Sequence, residues 1–258
     1  MGIVNVTPNS FSDGGRLLDP RTAIDAGLAM VEDGADIIDV GGESTRPGAA
    51  EVPPEQEQDR VLPVIDALAK QGVRVSADTR NASTMRVALA AGARIVNDVS
   101  ALTHDPLSAG VVAAHGCPVV LMHMRGTPAT MNDLAVYRDV VAEVRSELAA
   151  CVDAAIQAGI RPENIAIDPG IGFAKRPAHA PVVLRGLSDI ASLGFPILVG
   201  VSRKGFIGDL TGEPVAGRRL AGSLAAGLFA VLRGASILRV HDVRETVQTL
   251  RVWNALFE

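Results

Sequence analysis

Eight short runs rich in β-branched residues recur along the chain, each bounded by Gly or Pro. These runs, which we predict to be strands, cover residues 3–6, 36–40, 73–78, 94–99, 118–123, 165–168, 196–201 and 236–240. Ala-rich stretches with helical periodicity separate them, for example residues 22–33, 54–70, 136–158 and 218–233. Continuously apolar strands that alternate with helices predict a parallel sheet covered by helices.

The number of strand–helix units decides between two parallel architectures. Eight units in 258 residues fit a closed (β/α)8 barrel, so we predict an α/β protein with a TIM-barrel fold. We expect one domain that spans residues 1–258. A doubly wound open sheet is the alternative. Aromatic residues make up only 3% of the chain, so the core must consist mainly of Ala, Val, Leu and Ile.

Polar side chains stand at the ends of the predicted strands. They are Asn5, Asp39, Asp78, Asn97, Asp98, His123, Asp168, Ser202, Arg203, Lys204, Arg239 and His241. Charges at the ends of apolar strands reduce stability unless they are paired or bind a ligand. A barrel brings all eight strand ends to one rim, where active sites lie. A structural role explains any single residue equally well (Asp98 as a loop cap, His123 as a hydrogen-bonded core histidine), but not the whole set.

The rim mixes hydrogen-bond acceptors with cations, which indicates a ligand that has both donors and negative charge. A carboxylate such as Asp78 or Asp168 accepts two parallel hydrogen bonds from a flat heterocycle with adjacent N–H and NH₂ groups, such as a guanine or pterin edge. Lys204 suits a ring oxygen or nitrogen of the same ligand. The residues that suit a phosphate are Arg46, Arg239 and His241. We find no Ser–His or Cys–His pair that indicates a nucleophile.

Several function classes receive no support from the sequence. Asn5 offers a neutral oxygen for Mg²⁺, which keeps waters and phosphate oxygens as further ligands, whereas no HExxH or CxxC pattern indicates zinc. The net charge of −5 without a basic block does not favour nucleic-acid binding. No apolar run approaches 18 residues, so we expect no signal peptide, no membrane span and a cytoplasmic protein.

Eight motifs carry a resemblance to a known family. They are MGIVNVTPNSFSDGG, IDVGGESTRPGA, SADTR, IVNDVSAL, LMHMRGTPATM, IDPGIGFAKR, VGVSRKGFIG and ILRVHDV. Together and in this order they resemble the dihydropteroate synthases over essentially the whole chain. The resemblance implies a (β/α)8 barrel that joins 4-aminobenzoate to a dihydropterin methyl diphosphate. The implied products are 7,8-dihydropteroate, for folate synthesis, and pyrophosphate. Sulfonamides imitate 4-aminobenzoate in this family, and the sequence leaves open whether this chain is sensitive to them.

The resemblance also implies a role for each rim residue. The residues implied to hold the pterin are Asp78, Asn97, Asp168 and Lys204. Asn5 is implied to bind Mg²⁺ with the diphosphate. The implied anion site comprises Arg46, Arg239 and His241, and Arg239 also lies over the pterin face. The residues that border 4-aminobenzoate are Thr45, Pro47, Phe173 and Lys204. The implied mechanism is dissociative, with diphosphate leaving before the arylamine attacks, and its catalytic residues are Asp78, Asp168, Lys204 and Arg239.

The linker after the first strand is longer than a turn requires, which favours a functional loop. We expect residues 7–16 to close over bound ligand through Phe11, Ser12 and Asp13, with Phe11 covering the 4-aminobenzoate. The chain departs from the family's usual pattern at three positions. They are Asn9, where Asp is usual, Ala174, where Gly is usual, and Gly205, where Ser is frequent.

The quaternary structure is suggested by the late helix RRLAGSLAAGLFAVLRGA, which is apolar nearly all round. Such a helix is usually buried on both sides, and the resemblance implies dimerisation through late helices, so we expect a homodimer. Two rival functions remain at this point. One is a pterin-barrel methyltransferase that passes a methyl group from methyltetrahydrofolate to a corrinoid protein. The other is a non-catalytic pterin-binding paralogue.

Overall fold

The computed structural model describes residues 1–7, 19–46 and 48–257. Its strands form one sheet in which neighbours are parallel and follow chain order. They are β1 (Gly2–Asn5), β2 (Ile38–Gly41), β3 (Val75–Asp78), β4 (Ile95–Asp98), β5 (Val119–Met122), β6 (Ile165–Asp168), β7 (Ile197–Val199) and β8 (Ala235–Leu238). A parallel bridge between Gly2 and Val240 brings the last strand beside the first. The predicted barrel, rather than the open sheet, is confirmed.

The described helices follow the strands along the chain. They are α1 (Pro20–Glu32), α2 (Pro54–Lys70), α3 (Ala82–Ala90), α4 (Ser108–His115), α5 (Val140–Gln157), α6 (His179–Arg185), α7 (Leu187–Ala191), α8 (Gly205–Thr211), α9 (Leu220–Leu232) and α10 (Val243–Phe257). Short 3₁₀ turns cover Pro162–Asn164 and Ala216–Arg218. Within the described residues, no helix has the length and apolar character needed to cross a membrane.

Local sequence signals set the ends of several helices. Asp19 caps α1 by accepting the Thr22 N–H at 3.0 Å, and Asp139 caps α5 by accepting the Val141 N–H at 3.0 Å. The cap at Asp139 explains why α5 begins at Val140 and not at the predicted residue 136. Gly92 follows α3 with a φ of +109°, and a Cβ there would lie 2.6 Å from the Ala69 side chain. Only glycine therefore fits this turn between helix and strand.

Most predicted strands differ from the observed ones by one or two residues at an end. Val99 and Val201 were included in predicted strands, yet they lie beyond the ends of β4 and β7 while staying buried, at 6% and 1% exposure. The predicted ends were too long because apolar residues indicate burial, and the chain stays buried beyond the last hydrogen bond between the strands. The predicted bounds of β6 and α2 agree with the structure.

Candidate active site

The carboxyl ends of the strands surround a cavity of about 780 Å³. The described residues that the sequence predicts for the site all line it: Asn5, Thr45, Arg46, Asp78, Asn97, Asp168, Phe173, Lys204, Arg239 and His241. The parallel register makes this convergence possible, because the last residues of neighbouring strands lie side by side. Phe11, Ser12, Asp13 and Pro47 lie outside the described residues, as do residues 8–16 of the expected closing loop.

One group of rim residues, the carboxylate cluster, consists of Asp39, Asp78, Asn97 and Arg239. Arg239 Nε donates to Asp39 Oδ2 at 2.6 Å, and Arg239 Nη2 donates to Asp78 Oδ2 at 2.7 Å. Asn97 Nδ2 donates to the same Asp39 oxygen at 3.0 Å. Closure of the barrel thus pairs an arginine after β8 with acids on β2 and β3.

Burial sets the ionisation of the acids that line the cavity. It raises the pKa of Asp78 to about 7, although the charge of Arg239 opposes this shift. Burial also raises the pKa of Asp168, against the hydrogen bond that Asp168 Oδ1 accepts from Gly170 N–H at 2.7 Å. Acids with so little water around them are stabilised by any ligand that donates hydrogen bonds to them.

Lys204 lines the same cavity as Asp168. Its Nζ lies 4.4 Å from the centroid of the Phe173 ring, within the range of a cation–π contact. Burial lowers the pKa of Lys204 to about 8, and the charge of Asp168 opposes this change. A flat ligand bound here therefore meets a carboxylate, an ammonium group and an aromatic face together.

His241 lies at the cationic side of the cavity. Its Nδ1 is 3.0 Å from Ser202 Oγ, so the structure contains a Ser–His contact that the sequence did not reveal. Burial, followed by the charges of Arg203 and Arg239, lowers the pKa of His241 to about 3. A neutral imidazole with so low a pKa is a poor base for activating a serine. His241 is therefore a hydrogen-bonding group and not a cation before ligand binds.

The acid beside His241 in the sequence, Asp242, does not neutralise the predicted anion-binding residues. Its Oδ1 instead accepts from Arg203 Nη2 at 2.5 Å, and its Oδ2 accepts from Arg203 Nε at 3.1 Å. Arg203 holds a φ of +59°, in the left-handed region. The pairing fixes the turn between Ser202 and Lys204, both of which line the cavity.

The loop between β2 and α2 carries Thr45 and Arg46, and a buried arginine holds both its ends. Arg80 Nε donates to Glu43 Oε2 at 2.9 Å, and Arg80 Nη2 donates to Glu43 Oε1 at 2.9 Å. The same Nη2 reaches Glu51 Oε1 at 3.2 Å. Bidentate pairing at only 3% exposure of the arginine makes this a rigid anchor.

A second group of polar residues, the amine cluster, consists of the buried Lys175 and His123 and the partly exposed Glu147 and Arg125. Lys175 lines the cavity and its Nζ lies 2.8 Å from His123 Nδ1. His123 Nε2 lies 3.0 Å from Glu147 Oε2, and Arg125 hydrogen-bonds to both oxygens of Glu147. Burial lowers the pKa of Lys175 to about 7 and that of His123 to about 4.

Comparison with known proteins adds the decisive observation. Residues 1–241 match the family model described as pterin binding enzyme. The dihydropteroate synthase of Mycobacterium leprae is 50% identical over 99% of this chain and 92% of its own length. The chain belongs to the dihydropteroate synthase family.

Solved structures of this family share the barrel throughout. The dihydropteroate synthase of Xanthomonas albilineans, solved with 4-aminobenzoic acid, has a TM-score of 0.93 and 50% identity over 99% of this chain and 92% of that one. The Yersinia pestis dihydropteroate synthase, in a sulfonamide drug complex, has a TM-score of 0.96 and 40% identity over 99% of this chain and 93% of that one.

Sequence reasoning missed part of the site that the dihydropteroate synthase fold assembles. For Asp98 and His123 the sequence left a purely structural role open, and both residues have structural contacts. Asp98 accepts a 2.7 Å hydrogen bond from Ser100 N–H and so caps a turn. His123 lies between Lys175 and Glu147. Lys175 and Arg80 were not singled out. The only signal for them is their position, within IDPGIGFAKR and SADTR.

Proposed function

We propose that this chain joins 4-aminobenzoate to (7,8-dihydropterin-6-yl)methyl diphosphate, giving 7,8-dihydropteroate and pyrophosphate. The observation that carries the proposal is the cavity, which gathers buried acceptors, cations and an aromatic ring at one rim in a chain of the dihydropteroate synthase family. A sulfonamide that imitates 4-aminobenzoate is expected to compete for the same cavity.

The pterin binds against Asp78, Asn97, Asp168 and Lys204. Its adjacent N–H and NH₂ groups donate to buried carboxyl oxygens, and Lys204 donates to a ring oxygen or nitrogen. Support comes from the burial of Asn97 and Asp168, at 4% and 6% exposure, because hydrogen bonds are stronger in a buried site than in water.

The diphosphate binds on the side of the cavity lined by Asn5, Arg46, Arg239 and His241. Arg239 already pairs with Asp39 and Asp78, so it links the anion site to the pterin site. His241 offers an N–H and not a positive charge. The charge of the diphosphate raises the pKa of His241 on binding.

Mg²⁺ is part of this proposal. Within the described residues, no three His, Cys, Asp or Glu side chains come together as a metal cage. Asn5 lines the cavity and offers one neutral oxygen, which fits a Mg²⁺ ion whose other ligands are waters and phosphate oxygens. The ion would neutralise charge on the departing diphosphate.

The 4-aminobenzoate binds beside Thr45, Phe173 and Lys204, where Pro47 is also expected. Catalysis consists of positioning the two substrates and of stabilising separated charges. Asp78 and Asp168 stabilise the cation left at the pterin methylene group when diphosphate departs. Lys204 and Arg239 fix the ring from its edge and face.

The assembly proposed here is a homodimer through α9 and α10, in the cytoplasm. Leu232 on α9 and Val252 and Leu256 on α10 are exposed, at 56%, 58% and 76%. Such a run of exposed apolar residues on neighbouring helices suits a partner surface. Light scattering at micromolar concentration should give twice the mass of the chain, and a monomer mass would refute the proposal.

One assay tests the proposed activity. Purified protein is mixed with the pterin diphosphate and Mg²⁺, with and without 4-aminobenzoate, and both pyrophosphate and dihydropteroate are measured. We expect equal amounts of the two products, formed only when 4-aminobenzoate is present. Binding of a pterin without any product would instead identify a non-catalytic pterin-binding protein. Methyl transfer from methyltetrahydrofolate to a corrinoid protein would identify the methyltransferase.

A further inference from the structure

Formation of dihydropteroate releases a proton that the residues named so far do not account for. The arylamine nitrogen uses its lone pair to form the C–N bond with the pterin methylene carbon and becomes positively charged. One N–H proton must then leave, so that its bonding electrons return to nitrogen as a lone pair. A base beside the arylamine accelerates such a step.

We propose that Lys175 is this base, and that His123 and Glu147 position its amine. The inference rests on the proposed function and adds a residue to it. Lys175 is 6% exposed and lines the cavity two positions after Phe173, where the arylamine is expected to bind. Its Nζ takes the proton and becomes an ammonium group, which releases the proton to water after the product leaves.

The hydrogen bonds around Lys175 match a neutral amine. Glu147 accepts the Nε2–H of His123, because Arg125 keeps the pKa of Glu147 low and the carboxylate charged. His123 Nδ1 is therefore the acceptor for Lys175 at 2.8 Å, and the Phe173 carbonyl oxygen is a second acceptor at 3.1 Å. A neutral amine has two N–H groups, so these two acceptors satisfy both and leave one lone pair.

The surrounding charges keep this amine ready to accept a proton. Burial lowers the pKa of Lys175 to about 7. The charges that act on it come from several elements: Asp168 on β6 and Glu147 on α5 favour the ammonium form, while Arg125 and Lys204 oppose it. The third possible acceptor, the His123 carbonyl oxygen, lies 3.5 Å away, which is long for a hydrogen bond. The Lys175 amine can therefore accept a proton, but the described residues around it offer the ammonium form no third close acceptor.

The loop that carries Lys175 is fixed from the outside. Tyr137 donates its hydroxyl to the Ala174 carbonyl oxygen at 2.9 Å, and the Arg125 guanidinium stacks 4.0 Å from the Tyr137 ring centroid. Arg125 therefore supports both ends of the arrangement, Glu147 and the loop beside Lys175. Lys204, the other lysine near Phe173, is expected to hold the pterin and is not available as the base.

The test compares Lys175→Met with Lys175→Gln. Met fills the space without donors or a basic lone pair, whereas Gln keeps two N–H donors without basicity. We expect the rate of dihydropteroate formation at pH 8 to fall by about 10²–10⁴-fold in both variants. Pterin affinity, measured by calorimetry, should change less than about threefold, which also shows that each variant is folded.

The pH profile separates a base from a structural residue. In the unaltered protein kcat should rise with pH through an apparent pKa near that of Lys175, because the base must be deprotonated, and this limb should be absent from both variants. Recovery of the rate in Lys175→Gln, or a rising limb that persists in Lys175→Met, would overturn the proposal. If the unaltered protein forms no dihydropteroate, the proposed function fails instead, so the two failures are distinguishable.

Discussion

The carboxylate cluster and the amine cluster are both polar groups with buried members beside the same cavity, yet they are built differently. In the carboxylate cluster an arginine that stays charged pairs with two acids, and Asp39 is fully buried. In the amine cluster the groups nearest the cavity are a lysine and a histidine whose pKa values are lowered by burial. The first suits a ligand held by fixed charges, and the second suits a group that exchanges protons.

The largest expected effect is a loss of stability when the carboxylate cluster loses its arginine. Arg239→Ala leaves Asp39 and Asp78 buried without their cation, which should lower the free energy of unfolding by about 3–5 kcal/mol. Arg125→Ala, the matched change in the amine cluster, should lower it much less, because Glu143 and Glu147 are 32% and 39% exposed and water screens their charges. Urea unfolding of both variants measures the difference.

The stability of the same two variants should also depend differently on pH. In Arg239→Ala, Asp78 loses the charge that opposes the rise of its pKa on burial. The folded state then binds more protons than the unfolded chain, so stability should recover as pH falls from 8 to 5. Arg125 instead keeps the pKa of Glu143 at about 2, so no such recovery is expected for Arg125→Ala. If Arg239→Ala lost as much stability at pH 5 as at pH 8, the proposed difference between the two clusters would be wrong.

An intermediate effect concerns pterin recognition next to the carboxylate cluster. Asp168→Asn replaces an acceptor pair by an amide that presents a donor to a donor. Each lost charge-assisted hydrogen bond weakens binding by about 1.5–3 kcal/mol, so pterin affinity should fall at least tenfold in a folded protein. Asp66→Asn on α2, which removes only the exposed contact with Lys70, is the control. Unchanged pterin affinity in Asp168→Asn would remove this residue from the pterin site.

The smallest expected effect lies beside the amine cluster. Ala174 has a φ of +48°, in the left-handed region that glycine adopts without strain. Ala174→Gly should raise the free energy of unfolding by about 0.5–1 kcal/mol, because relief of the left-handed strain exceeds the additional conformational entropy that glycine loses on folding. Ala101→Gly, at a φ of +52°, should give a similar gain in stability. Neither substitution should change the dependence of kcat on pH. A loss of stability in Ala174→Gly would show that its methyl group packs better than the backbone strain suggests.

The fold was predictable because its signals are local. Alternating apolar runs and helices specify a parallel barrel, and the helices predicted at residues 22–33 and 54–70 correspond to α1 and α2 within two residues at each end. The convergence of Asp78, Asn97 and Asp168 followed from the rule that parallel strand ends share one rim. Their roles toward ligands remain predictions.

The pairings within the site could not be predicted, because they join residues far apart in the chain. Arg239 reaches Asp39 across 200 positions because the bridge between Gly2 and Val240 closes the barrel. Asp242 is the acid nearest to Arg239 in the sequence, yet it pairs with Arg203. Nothing in the pattern GFAKR distinguishes a buried lysine from an exposed one, since burial of Lys175 depends on α5 packing beside His123.

The central claim is that the cavity holds a pterin at the carboxylate cluster and an arylamine at the amine cluster. A crystal structure of this protein with a pterin and 4-aminobenzoate tests it most directly. We expect the pterin N–H and NH₂ groups within about 3.2 Å of carboxyl oxygens of Asp78 or Asp168. The arylamine nitrogen should lie within about 3.2 Å of Lys175 Nζ, or reach it through one water. An arylamine nitrogen bound on the Asn5 side of the cavity, away from Lys175, would contradict the account.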